Sequence, residues 1–247
     1  WVAELAQVRE VSLRGTADLE YWRDRFLTER LRPVEHDGQA QLMIIAADLR
    51  YMGVRFREMS FSVLVSRPRE PTRQDAAFLI GAFNSNRLFA VGERVLSSTP
   101  YFHGDVRTSA SFPPSVQLIQ NAEVVFGVEM LPSAASARRE ASRSGEDGWE
   151  GPVFLPARRR EKSRQGDFFV ARLTGHTETY PFLPAQDVVK IQSSSGNEIL
   201  EALSKSHFAV REWVVRANAA HSKSKTYRRA ELLAGEADAD ALELRRE

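Results

Sequence analysis

The chain has 247 residues, of which 43% are hydrophobic and 27% are charged, and this suits one large domain with a buried core. Lysine and arginine total 34 against 33 acidic residues, so overall charge gives no reason to expect a nucleic-acid partner. The absence of cysteine excludes disulfides, thiol nucleophiles and zinc–thiolate sites. No apolar run approaches the roughly 18 residues of a membrane-spanning helix, and no leader is visible at the start. We therefore expect a cytoplasmic protein with no membrane partner.

The first part of the chain predicts one helix and three strands. Leu19, Trp22 and Phe26 recur at helical spacing behind Asp18, a residue type that caps helices. Strands are predicted where apolar residues run together or alternate, over residues 39–48, 59–66 and 76–83. The first of these has an unbroken apolar centre, which is typical of a strand buried on both faces. The second alternates, which indicates one buried face.

Charged and aromatic residues interleave between the first two strands, on both sides of Gly53. Arg55 and Arg57 lie two residues apart, so in an extended chain they face the same side and can clamp a carboxylate or phosphate. Glu58 follows them directly. The alternative is a solvated strand edge, where exposed charges are ordinary.

A helix–turn–strand unit follows and concentrates ionisable residues. Asn84–Asn86 is a strong N-cap cluster, and the helix behind it carries Glu93. A strand pattern resumes at Tyr101 and contains His103. Because imidazole titrates near neutral pH, His103 is the candidate catalytic acid or base, oriented by Glu93 or Asp105. The alternative is an ordinary strand histidine.

The second half of the chain adds short strands, predicted over residues 101–111, 115–120, 122–130, 168–174 and 187–192. Several short strands in succession favour a curved antiparallel sheet or barrel. Residues 132–165 form a long polar excursion between them. A last helix is predicted behind Asn197, with an apolar stripe that continues to Val210 and Trp213. We expect a single domain over residues 1–220, followed by a polar tail or surface helix over 221–247.

Motifs for metal and nucleotide binding are missing from the sequence. The five histidines stand far apart, with no pair at ligand spacing, so we predict no metal site. The glycine-rich phosphate loops and the serine-nucleophile elbow are also absent. We therefore predict no cofactor.

Four short segments, at residues 48–58, 87–103, 168–172 and 180–185, carry a family resemblance. They resemble parts of the acetoacetate decarboxylase-like superfamily, and most closely its uncharacterised YqjF-like branch. The resemblance implies an α+β fold with a strongly bent antiparallel β-sheet, or closed barrel, around a pocket, with helices packed outside.

The resemblance also bears on chemistry. The enzyme that names the superfamily forms a Schiff base between a lysine and a β-keto acid. In the decarboxylases, a lysine pair follows the proline that comes after the helix similar to residues 87–96. Tyr101 and Phe102 stand at those positions here, and the first lysine anywhere is Lys162. We therefore expect no Schiff-base lysine, because later lysines would have to reach the pocket from elsewhere.

These observations predict a protein that binds a small apolar carboxylate or ketone in a central pocket. The expected walls are aromatic, namely Phe56, Phe61, Tyr101 and Phe102, and the expected polar groups are Arg55, Arg57, Glu58, Glu93 and His103. Two alternatives stay open. One is a lysine-independent lyase or isomerase that acts on an oxo acid with His103 as acid or base. The other is a protein-interaction module that uses the basic segments 138–164 and 223–229. Self-association into a homo-oligomer also stays open.

Overall fold

The computed structural model describes residues 1–66, 75–132, 142–157, 166–193 and 196–229. Three helices lie in these ranges, α1 Leu19–Phe26, α2 Arg87–Leu96 and α3 Glu198–Lys205. The strands of the first half are β1 Ala3–Asp18, β2 Arg32–Pro33, β3 Glu35–His36, β4 Gln39–Tyr51, β5 Val54–Ser66, β6 Ala76–Asn84, β7 Tyr101–His103 and β8 Asp105–Ser109. Those of the second half are β9 Ser115–Gln120, β10 Glu123–Met130, β11 Arg143–Phe154, β12 Asp167–Pro181, β13 Asp187–Ile191, β14 Ala209–Lys223 and β15 Tyr227–Arg228.

Eleven of these strands form one strongly curved sheet. The main order is β2-β5-β4-β1-β14-β12-β11-β6-β7, with β3 and β15 attached to β4 and β12. An additional pairing joins β5 to β6, so the hydrogen-bonded path bends back towards its start. A second sheet of four strands has the order β13-β10-β9-β8. The predicted α+β fold with a strongly bent, largely antiparallel sheet is therefore confirmed.

The two faces of the large sheet have different neighbours, as strand β4 illustrates. Leu42 and Ile44 are buried in the main core, whereas Met43 and Ile45 face an internal cavity. Since side chains alternate along a strand, the unbroken apolar run of β4 supplies both faces at once. This is the reason that its pattern shows no alternation.

The main core lies between the large sheet, the second sheet and helices α1 and α3. Trp22 and Phe26 of α1 and Leu203 of α3 are fully buried there. Phe61 of β5 meets Phe126 of the second sheet edge to face, with ring centroids 5.4 Å apart, a favourable aromatic geometry. This packing fixes one face of the large sheet and leaves the other face to line the cavity.

Local capping explains where the first two helices begin. The Asp18 carboxylate accepts the backbone N–H of Tyr21 at 2.8 Å, and the Asn86 side chain accepts that of Leu88 at 3.0 Å. Both caps satisfy donors that have no partner inside the helix. The helix predicted after Asp18 and the helix predicted after the Asn84–Asn86 cluster are both confirmed.

The prediction of a long final helix is wrong beyond Lys205. Helix α3 ends there, and Val210 and Trp213 lie on strand β14. The stretch 209–215 is rich in valine, which prefers a pleated strand, and β14 pairs with β1 and β12 on its two sides. The apolar residues that fit a helical stripe are buried by these sheet contacts instead.

The predicted polar excursion contains a strand, because β11 occupies Arg143–Phe154 and pairs with β12 along its whole length. The other residues of the excursion that carried the basic interaction hypothesis, 133–141 and 158–165, lie outside the described residues. So do residues 230–247 of the predicted tail or surface helix. Among the helices of the described ranges, none has the length and apolar character needed to cross a membrane.

Candidate functional site

The inner face of the curved sheet lines a cavity of about 500 Å³ that is partly open to solvent. Seven long strands supply its walls, largely through alternate residues. They include Leu5 of β1, Met43, Ile45, Ala47 and Leu49 of β4, Phe56, Glu58, Ser60 and Ser62 of β5, Ala77 and Leu79 of β6, Trp149 and Val153 of β11, Phe169, Ala171 and Leu173 of β12, and His221 and Lys223 of β14. Helix α2 covers one side with Leu88, Phe89, Gly92, Glu93 and Leu96. Most of this surface is apolar, so the few ionisable groups on it stand out.

The first polar group in the cavity is an ion pair between the last long strand and helix α2. The Lys223 ammonium donates to Glu93 Oε2 at 2.6 Å. The Thr99 hydroxyl donates to the same oxygen at 3.0 Å. The Lys223 nitrogen also lies 4.7 Å from the centre of the Phe169 ring and 5.8 Å from that of Tyr101, within the range of cation–π attraction. The ammonium group is therefore held in a defined position at the cavity wall.

The second polar group is a tyrosine–carboxylate pair. The Tyr101 hydroxyl donates to Glu58 Oε1 at 2.7 Å. Burial raises the pKa of Glu58, the Tyr101 hydrogen bond opposes that rise, and the charge of Glu93 adds to it. Burial, followed by the charges of Glu58 and Glu93, raises the pKa of Tyr101 well above its ordinary value. Tyr101 is therefore a protonated donor at neutral pH, and Glu58 holds a proton more readily than an exposed glutamate.

The third polar group is a buried network at the base of the cavity. Glu10 of β1 is fully buried, and its Oε2 lies 2.6 Å from His221 Nε2. Its Oε1 accepts the Arg216 guanidinium at 2.5 Å and the Ser12 hydroxyl at 2.6 Å. The strand register explains the contact between Glu10 and Arg216, because the two residues pair directly across β1 and β14. Thr177 is a further acceptor for Arg216, at 2.8 Å.

The Glu10 carboxyl is ionised. Burial by itself raises its pKa, but the hydrogen bond to His221 and the charges of His221 and Arg216 outweigh burial and lower the pKa to about 2. An ionised carboxylate can only accept hydrogen bonds, so the proton between the two groups belongs to His221 Nε2. In the neutral ring, the lone pair is then on Nδ1.

Some of the residues predicted from the sequence lie at this cavity. Glu58, Glu93, Tyr101 and Phe56 are in its walls. The structure brings the first three together with Lys223 and His221. Lys223 donates to Glu93, Tyr101 donates to Glu58, and His221 lines the same cavity.

The predicted arginine clamp does not face the cavity. Arg55 is mostly exposed and binds Asp48 with two hydrogen bonds, of 2.8 and 2.5 Å. Arg57 lies 3.6 Å from the same carboxylate. The arginines therefore stabilise the β4–β5 hairpin, in which Asp48 pairs directly with Arg57.

The other predicted residues also lie outside the cavity. The His103 side chain is exposed, and among the described residues no carboxylate lies within hydrogen-bonding distance of it. Phe102 is 41% exposed and stacks beneath the Arg94 guanidinium. Phe61 belongs to the main core on the opposite face of the sheet. The catalytic hypothesis that rests on His103 thus has no support from its surroundings.

Sequence reasoning missed Glu10, His221 and Lys223. The last two stand two positions apart, which places them on one face of a strand, but residues 221–247 were predicted to be a polar tail or surface helix. Lys223 reaches the cavity from the end of β14, so the cavity contains a primary amine that was not expected there. The alternation of Ala219, His221 and Lys223 was the available signal.

Metal binding has no support from the same geometry. Within the described residues, no group of three or more histidine, aspartate or glutamate side chains is placed to hold a metal ion. The carboxylates at the cavity are instead each bonded to a donor of the chain, namely Lys223, Tyr101 or Arg216.

Comparison with solved structures identifies the fold as acetoacetate decarboxylase-like. An acetoacetate decarboxylase superposes with a TM-score of 0.55 at 13% identity, covering 91% of this chain and 89% of the other. The enduracididine biosynthesis enzyme MppR, complexed with the condensation product of pyruvate and imidazole 4-carboxaldehyde, gives 0.60 at 11% identity, with coverages of 91% and 88%. The acetoacetate decarboxylase of Legionella pneumophila gives 0.58 at 11% identity, with coverages of 91% and 86%. No protein-family model and no curated protein matches the sequence.

Proposed function

We propose that the protein binds a small, largely apolar ketone or carboxylate in the cavity, with Lys223 as the donor that recognises its oxygen atoms. The observation that carries the proposal is an apolar cavity of about 500 Å³ with an ammonium group fixed in its wall. Cavities of this size and character commonly hold small organic ligands.

The apolar walls support a ligand with a hydrocarbon part. Residues such as Ile45, Leu79 and Leu173 offer only carbon atoms to the cavity. Each apolar square ångström removed from water contributes about 25 cal/mol, so a ring or alkyl group gains free energy there without any specific contact. A ligand that is polar throughout gains nothing from these walls.

The polar side of the cavity supports an oxygen acceptor on that ligand. An ammonium group has three N–H donors, and Glu93 takes one of those of Lys223. The centre of the Tyr101 ring lies 5.8 Å from the same nitrogen, and its hydroxyl proton is donated to Glu58. A carbonyl or carboxylate oxygen that accepts one of the remaining N–H groups of Lys223 gains a charge-assisted hydrogen bond, which is about twice as strong as a neutral one.

The similar structures are consistent with a carbonyl compound as ligand. Two of them are acetoacetate decarboxylases, and MppR was complexed with a condensation product of pyruvate. We infer that the ligand of this protein is also an oxo acid, a ketone or a carboxylate. We propose that Lys223 binds it without a covalent bond, because Glu93 holds the Lys223 nitrogen in an ion pair at 2.6 Å, and attack on a carbonyl needs a free amine lone pair.

A matched trio of probes tests the proposal. Phenylpyruvate carries a ketone and a carboxylate, hydrocinnamate only the carboxylate, and phenylacetone only the ketone. Saturation to about 100 times the dissociation constant stabilises a protein by about 2.7 kcal/mol, or about 5–10 °C in melting temperature for a chain of this size. We expect at least one probe to produce such a shift. If none of the three, nor pyruvate, shifts the melting temperature, the proposal fails.

Variants locate the binding to the cavity. Lys223→Met keeps the length of the side chain and removes its charge, so it should abolish most of the shift. Lys205→Met is the matched control, since Lys205 is an exposed lysine on α3 that pairs with Glu201 at 3.2 Å. Equal shifts in the two variants would contradict the assignment.

A borohydride experiment tests the non-covalent mode separately. Reduction of the protein with each ketone probe should leave its intact mass unchanged. A mass increase that maps to Lys223 would show an imine and overturn the non-covalent part of the proposal, while binding in the cavity would stand.

A further inference from the structure

The pair of His221 and Glu10 has no role in ligand recognition as proposed above, although it is built at a cost to the fold. Glu10 is fully buried and charged, and Arg216 is 4% exposed and charged. Buried charges are expensive unless paired, and here the pairing positions one imidazole ring at the cavity wall. A histidine oriented by a buried carboxylate is the arrangement used for proton transfer.

We propose that His221, held in place by Glu10, removes a proton from the carbon next to the carbonyl group of an oxo acid bound in the cavity. This inference rests on the proposed function, because it needs the same ligand in the same place. It assigns a reaction class, enolisation of an oxo acid, to a cavity that otherwise only binds.

The hydrogen bond to Glu10 selects the atom that accepts the proton. His221 Nε2 donates to Glu10 Oε2, 2.6 Å away, so Nδ1 carries the lone pair of the neutral ring. When Nδ1 takes the proton, the ring becomes an imidazolium that the adjacent carboxylate stabilises. Glu10 itself keeps its charge throughout, and it acts as a positioning residue.

Strand β14 also positions the group that stabilises the negative charge formed on the carbonyl oxygen. Lys223 stands two residues after His221 on the same face, about 7 Å along the strand at about 3.3 Å per residue. An oxo acid can span such a gap. Its carbonyl oxygen then lies within hydrogen-bonding distance of the ammonium, and the carbon next to the carbonyl lies within reach of the imidazole. The enolate oxygen thus forms beside a fixed positive charge, which is the usual way to lower the barrier of this step.

The electrons and protons of the step balance without another reactant. The carbon–hydrogen bond breaks, and its proton goes to Nδ1 of His221. The electron pair of that bond forms the carbon–carbon double bond, and the carbonyl electron pair moves to the oxygen beside Lys223. Return of the proton restores the oxo acid, so in heavy water the substrate exchanges hydrogen for deuterium at this carbon with no net chemical change.

Deuterium exchange measured by proton NMR tests the inference, with pyruvate and phenylpyruvate as probes. We expect the wild-type protein to exchange the carbon-bound hydrogens faster than buffer does. His221→Gln should lower the protein-dependent rate about 100-fold, as removal of a general base typically does, while the Gln amide still donates to Glu10. His36→Gln, at an exposed histidine of β3, is the matched control and should leave the rate unchanged.

Two further measurements keep the test decisive if His221→Gln does not fold. Hydrocinnamate has a carboxylate but no ketone, so it does not enolise as an oxo acid does, and in the wild type it should inhibit exchange with an inhibition constant equal to its dissociation constant. Glu10→Gln should lower the rate at saturating probe while half-saturation stays unchanged, because the ligand does not touch Glu10. A merely structural role would not separate these two quantities.

The outcomes distinguish this inference from the proposed function. Three results overturn the inference and leave binding intact: a thermal shift with no exchange above buffer, exchange that His221→Gln retains, or exchange that hydrocinnamate fails to inhibit although it gives a thermal shift. The absence of any thermal shift and of any exchange overturns both.

Discussion

The buried carboxylate Glu10 gives a prediction that the structure makes quantitative. Its pKa falls from 4.5 to about 2 in the folded chain, and at about 1.4 kcal/mol per pH unit this difference corresponds to about 3 kcal/mol of stability at neutral pH. Glu10→Gln removes that contribution and leaves Arg216 buried without its main counter-charge, a change that typically costs about 3–5 kcal/mol. We expect a loss in this range for the variant at pH 7.

The pH dependence has a definite sign. A carboxyl whose pKa is lowered by folding stabilises the native state fully above its unfolded pKa, and the contribution disappears as the pH falls towards the folded value. The stability difference between wild type and Glu10→Gln should therefore shrink between about pH 4.5 and pH 2. Other acidic groups titrate equally in both proteins and cancel from the difference.

Urea unfolding followed by tryptophan fluorescence measures this difference, since Trp22 and Trp213 are fully buried. Glu20→Gln is the control, because Glu20 is an exposed partner of Arg23 and such pairs contribute about 0–1 kcal/mol. The double variant with Arg216→Met should recover part of the loss, because an apolar side chain needs no counter-charge. A Glu10→Gln protein as stable as the wild type, or a deficit that persists unchanged at pH 3, would refute the reasoning.

Two further predictions concern stability. Gly15→Ala should lower the free energy of unfolding by about 1–3 kcal/mol, because an added Cβ would overlap the carbonyl oxygen of Ala209. Gly92→Ala should raise it by up to about 1 kcal/mol, because Gly92 lies within α2 with open space around it. Urea titration of both variants checks the opposite signs. Tyr101→Phe removes the hydrogen bond that opposes the rise in the pKa of Glu58. Because a carboxyl whose pKa is raised by folding destabilises the fold as the pH rises through that pKa, the loss of unfolding free energy relative to wild type should be larger at pH 7 than at pH 4. An equal loss at both pH values would contradict this.

The parts of the fold that sequence could predict are those with local causes. Asp18 and Asn86 mark helix starts because a cap acts on N–H groups two or three residues away. The alternation over 59–66 predicted a strand because one face of β5 is buried against the core, with Phe61 and Val63 fully buried. Such signals need no knowledge of distant residues.

The parts that failed depend on distant partners. Val210 and Trp213 fit a helical stripe and a strand equally well, and only the pairing of β14 with β1 decides between them. The site shows the same limit, because Glu10 contacts His221, which lies 211 residues further along the sequence. Glu58, Glu93 and Tyr101 were found because they lie in the segments 48–58 and 87–103, which carry the family resemblance, whereas Lys223 lies far beyond both.

The charges at the cavity explain why an anionic ligand and a neutral one are both compatible with it. Glu10 is balanced by Arg216, and Glu93 by Lys223, so neither carboxylate presents an uncompensated charge. Glu58 has no cation bonded to it among the described residues; its partner is the neutral Tyr101 hydroxyl, and burial raises its pKa. When Glu58 is protonated, the cavity wall carries Lys223 and Lys225 against the carboxylate of Glu93, so a ligand carboxylate can be accommodated beside Lys223. When it is ionised, a neutral ketone is preferred, because a second anion near Glu58 would cost several kcal/mol at low dielectric.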